Sequence, residues 1–74
     1  MQQYLVAIED SIKPLRWRLI VAHSYTIAVK VFSEIHLDNN ESAVVLVKQV
    51  DNKATVLRYQ IPENRNNLLT FTQV

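Results

Sequence analysis

Hydrophobic and polar positions change their period twice along this chain of 74 residues. Near the N-terminus, Tyr4, Val6 and Ile8 alternate with Leu5 and Ala7. Both sets are apolar, which predicts a strand buried on both faces. Pro14 has no N–H to give to a ladder, so the segment Ser11–Pro14 reads as a turn. The run Leu15–Ala22 then alternates more clearly than any other. Leu15, Trp17, Leu19 and Val21 share one face, and Arg16, Arg18, Ile20 and Ala22 share the other. A helix lying on this strand is expected to cover the face that carries Trp17.

From Ser24 the period lengthens. Ser24 is a suitable N-cap directly before the apolar pattern. Ala28, Val31, Phe32 and Ile35 then fall three or four apart and form one stripe with Tyr25, leaving Lys30, Ser33, Glu34 and Thr26 for water. A strand reading would place Phe32 among Lys30, Glu34 and His36, a mismatch that the helical stripe avoids. The spacing therefore predicts a helix from Ser24 to about Leu37. "LDNNES" is a loop of turn-forming residues. "SAVVLVKQV" and "ATVLRYQI" flank "DNK", which predicts a hairpin with Asn52 as its positive-φ residue. Pro62 ends the second of these strands. "LLTFTQV" reads as a short edge strand or as a tail that orders against a partner. The expected fold is α+β, ordered ββαββ(β), with an antiparallel sheet of four or five strands and one helix across one face. Residues 1–62 form the single domain and 63–74 the tail or edge strand.

Composition narrows the function. The chain has no Cys and no Gly, so thiolate metal sites, glycine phosphate loops and nucleophile elbows cannot be written in it. The formal net charge of +1 is neither the basic excess of a typical nucleic-acid binder nor the acidic excess of a DNA mimic. The N-terminus lacks the basic region of a signal peptide, and its apolar runs are too short to span a bilayer. These features predict a cytoplasmic protein with no membrane partner. His23 and His36 lie at opposite ends of the expected helix, without metal-ligand spacing, so no metal is expected. Glu9 and Asp10 are adjacent and point to opposite faces, and the serines lack an oxyanion-forming context. Neither catalysis nor a cofactor nor a small-molecule substrate is predicted.

The segment "IVAHSYTIAVKVF" carries an Ala-x-Ser-x-x-x-Ala pattern at Ala22, Ser24 and Ala28. A strand ends at the first Ala, the Ser caps the helix, and the second Ala lets the helix lie close to the sheet. This resembles the strand-to-helix joint of the small DpnD/PcfM-like proteins of phages and mobile elements. The resemblance implies a small accessory protein of a mobile genome, without defined enzymology, such as an inhibitor of a host system. It transfers no functional residue. Tyr25, Thr26 and Ile27 stand where that family usually has acidic residues.

What remains is the sheet face opposite the helix. Ile20 beside Arg16 and Arg18, Val44, Leu46 and Val50 beside Lys48, and Val56 beside Arg58 are expected there. An apolar centre with a cationic rim is the composition of a protein-contact surface. The surface residues expected to act are Arg16, Arg18, Ile20, Leu46, Lys48 and Arg58. The expected partner is a second copy of the chain or another protein. Two alternatives share these residues: a tail folded over the face, and weak nucleic-acid binding by the four cations.

Overall fold

In the computed structural model, which describes residues 1–74, Ser24 starts the single α-helix, α1 (Tyr25–His36). Its hydroxyl accepts the Ile27 N–H at 3.2 Å, as an N-cap should. At the other end, the Leu37 N–H donates to the Ser33 carbonyl at 3.1 Å. The buried stripe, however, is Ala28, Val29, Phe32 and Ser33. It is turned about one residue from the expected one, and Ile35 is 63 % exposed. Ser33 tolerates burial because its hydroxyl donates to the Lys30 carbonyl at 2.6 Å, leaving no unsatisfied polar atom.

Beneath the helix lies one five-stranded antiparallel sheet, built from β1 (Gln2–Ile8), β2 (Arg18–Ala22), β3 (Ala43–Gln49), β4 (Asn52–Ile61) and β5 (Thr72–Gln73), in the order β2-β1-β3-β4-β5. The long hairpins β1–β2 and β3–β4 follow from their connections, and the non-consecutive pairing of β1 with β3 closes the sheet. No residue has positive φ, so the expected left-handed Asn52 is not formed. Instead Val50 and Asp51 make the turn, and a register shift at Lys48/Gln49 takes up the twist.

Which face of each strand is buried decides everything later. In β2, Ile20 and Ala22 lie under the helix and belong to the core, with Ile20 only 5 % exposed. Leu19 and Val21 are 57 % and 52 % exposed, the reverse of the expected parity. The joint to α1 sets this phase. Small Ala22 sits fully under the start of the helix, next to Ala28, where a larger side chain would hold the two layers apart, and residues two apart on a strand share its face. Tyr4, Val6, Val45, Val47, Tyr59 and Ile61 complete the floor. Tyr4 meets Tyr25 edge to face at 5.0 Å, and burial pushes the Tyr4 hydroxyl pKa up. Thr26 and Tyr59 share a hydroxyl hydrogen bond at 3.2 Å.

The C-terminal segment is both a clasp and an edge strand. A 3₁₀ turn at Leu68–Thr70 leads into β5, and Phe71 enters the core on the helix side. Arg65 ties this segment to the loop after α1, donating to the carbonyls of Asp38, Glu41 and Pro62. The tail therefore packs on the helix side and does not cover the opposite face. No helix is long and apolar enough to cross a membrane.

Candidate functional site

With the helix side assigned, the strand registers fix the open face. Leu5 of β1 stands opposite Leu19 of β2 and Lys48 of β3; Lys48 stands opposite Val56 of β4. One position along, Ala7 faces Leu46, and Leu46 faces Arg58. Val21 lies on the same face of β2 as Leu19, and Val44 on the same face of β3 as Leu46. The result is an apolar sheet surface with two aliphatic residues on each of β1, β2 and β3 and one, Val56, on β4. Ala7 is its one fully buried member and stands outside the helix-side core.

The charged groups on this face already have partners within the chain. Arg58 forms a two-pronged ion pair with Glu9, Nε to Oε2 and Nη2 to Oε1, both at 2.8 Å. The pair crosses over β3 from β4 to β1, lying above the Val44–Leu46 stretch. The hydrogen bonds from Arg58 hold the Glu9 carboxyl below its ordinary range against a smaller opposing effect of desolvation, and the Arg58 charge adds to them. Lys48 Nζ sits 4.1 Å from the centre of the half-buried Trp17 ring, a cation–π contact that also places Trp17 on this side. Gln60 donates to the carbonyls of Ala43 and Ile61.

Of the six residues expected to act, Leu46, Lys48 and Arg58 occupy this face together. Ile20 does not: it is a core residue under α1. Arg16 and Arg18 share the parity of Ile20 and line a cleft on the helix side, beside Phe32 and His36. The reason is geometric. α1 runs back over β2, so its C-terminal end stands above the start of that strand, where cations can reach water past the helix. The four expected cations are thus split two and two by the sheet and do not share one face.

Sequence reasoning missed Leu5, Leu19 and Val21 as surface groups and missed the Glu9–Arg58 pair. The first error follows from the inverted phase of β2. The second joins residues 49 positions apart and depends on β1 lying next to β3, which no local pattern signals. No protein-family model, no curated protein and no solved structure matches the chain.

Proposed function

We propose that this chain is a non-catalytic interaction module whose open sheet face packs against the same face of a second copy. The observation that carries the reading is the aliphatic array of Leu5, Leu19, Val21, Val44, Leu46 and Val56, with three of these about half exposed or more. An antiparallel sheet with one face in water ordinarily puts polar side chains there. Here the polar groups present are turned inward onto partners within the chain, so the face demands no charged counterpart. A second copy, presenting the same neutralised surface, suits it.

Size supports the same occupant. Five strands about 4.8 Å apart, paired over about 20 Å, give a face on the order of 400 Å² in projection. Two copies would bury about 800–1,000 Å², below the standard size of specific interfaces, so the dimer is expected to be a weak, transient one. The two sheets would stack about 10 Å apart as a sandwich with a helix on each outer side. A phage or mobile-element accessory protein that acts on a host system is the biological form of this reading. It is supported by the size of the chain and the Ala22–Ser24–Ala28 joint.

Solution mass measured across protein and salt concentration tests it. A dimer held by apolar area persists at high salt, where surface ion pairs are screened. Leu46→Glu on the central strand β3 and Leu19→Glu on the edge strand β2 each place a carboxylate in the interface twice over, and Leu46→Glu should raise the dissociation constant at least about 100-fold. Leu19 is exposed enough for its variant to keep the fold, which circular dichroism checks. A wild-type chain that stays monomeric at high micromolar concentration, or variants that dimerise like it, would overturn the proposal.

A further inference from the structure

We propose that the cleft beside the C-terminal end of α1 binds a small phosphate-bearing ligand, with Arg16, Arg18 and Lys13 holding the phosphate. This site lies on the other side of the sheet from the face discussed above and does not rest on that reading.

Half of the chain's cations are already in use. Lys30 pairs with Glu34 and Arg58 with Glu9. Arg65 donates to three backbone carbonyls, and Lys48 sits over Trp17. Four of the eight Lys and Arg residues remain without a side-chain partner: Lys13, Arg16, Arg18 and Lys53. Three of those four line one cleft of about 640 Å³. That volume is in the range of small-molecule sites.

The one carboxylate there, Asp10, lies within the field of Lys13 and offsets only part of their charge. Asp10 turns back to its own loop, where Oδ1 accepts the N–H groups of Ile12 at 2.8 Å and Lys13 at 3.3 Å. These two bonds hold its carboxyl below the ordinary range, the Ile12 bond most. The carbonyl end of α1 also opposes an anion, by about half a unit charge. Three fixed cations outweigh both. Two guanidinium forks, Arg18 at the start of β2 and Arg16 just before it, line the same cleft and suit the oxygens of a phosphate, which each can grip at two points. The exposed His36 ring, tilted against the buried Phe32 with ring centres 4.8 Å apart, gives the recess one aromatic side against which the rest of the ligand can lie. Three cations in a recess are too few for the run of backbone contacts that nucleic-acid binders make, so a small ligand is the better fit.

The test uses the full-length, isotope-labelled protein at low salt, titrated with inorganic pyrophosphate and followed by NMR. Saturable shifts concentrated at Arg16, Arg18, Phe32 and His36 are expected. Arg16→Gln with Arg18→Gln should weaken binding at least about tenfold, while Lys53→Gln leaves it unchanged. Shifts that do not saturate, that spread equally to Lys48 and Lys53, or that survive the double variant would overturn the site. A parallel titration with a short single-stranded oligonucleotide separates the two sources of phosphate. Binding no tighter than pyrophosphate supports the small ligand, and much tighter binding with a steep salt dependence overturns it.

Discussion

Two neighbouring residues of β2 offer a sharp test of which side of the sheet is covered. Ile20→Ala removes a side chain that is 5 % exposed and packed in the helix-side core. The lost carbons amount to about three methylene equivalents, or about 2.4 kcal/mol at about 0.8 each, before any cavity is counted. With the void left under α1, the expected loss is about 2–5 kcal/mol. A domain of this size has a stability of about 4–11 kcal/mol, so the variant should lose a large share of it and melt about 8–40 °C lower. Leu19→Ala removes a similar side chain from the adjacent position, which is 57 % exposed. In dilute solution, where the monomer prevails, it should change stability by no more than about 0.5 kcal/mol. Urea unfolding of both variants and the wild type, at protein concentrations below and above the dimer range, reads all of this out. At the higher concentration the wild type should gain stability that Leu19→Ala fails to gain. Equal losses for the two variants in dilute solution, or a larger loss for Leu19→Ala, would refute the buried phase of β2 and the open face derived from it.

Acid should weaken the fold through Glu9 and Asp10. Both carboxyls are held below their ordinary values of 4.5 and 3.8, so their contribution is complete above about pH 6 and is lost as pH falls through those values toward the lowered native ones. Glu9→Gln and Asp10→Asn should each flatten the decline of the urea midpoint between pH 6 and pH 3, and an unchanged slope would contradict the two sets of hydrogen bonds. Phe71→Ala should cost about 3–5 kcal/mol if the tail is integral to the core, and amide exchange at Thr72 and Val74, whose N–H groups face β4, should rise with it. A tail that exchanges freely in the wild type would show that β5 is not part of the sheet.

Much of the architecture was legible from local chemistry. Ser24 before an apolar period of three and four announced α1, and Pro14 and the Asp51–Lys53 region announced the two hairpin connections. The phase of β2 was not legible, because both of its faces are apolar enough to be buried. Leu19 and Val21 outweigh Ile20 and Ala22 in bulk, yet the joint needs the small Ala22 beneath the helix. The stripe of α1 slipped for a related reason: Ile35 is the more hydrophobic choice, but Ser33 can satisfy its own hydroxyl within the helix and so can face the sheet. At the candidate site, Leu46, Lys48 and Arg58 were placed together correctly because β3 and β4 form a simple hairpin. Arg16 and Arg18 were misplaced with Ile20, since an error of one residue in a strand moves every side chain to the other face.

The absence of any left-handed residue has an evolutionary consequence. Each connection in this fold can be traced by ordinary L-amino acids, so no loop position is reserved for glycine. Substitutions at Asn39, Asn40, Asp51 or Asn52 meet only mild preferences, and the bends of this protein are free to diversify while its layers stay put.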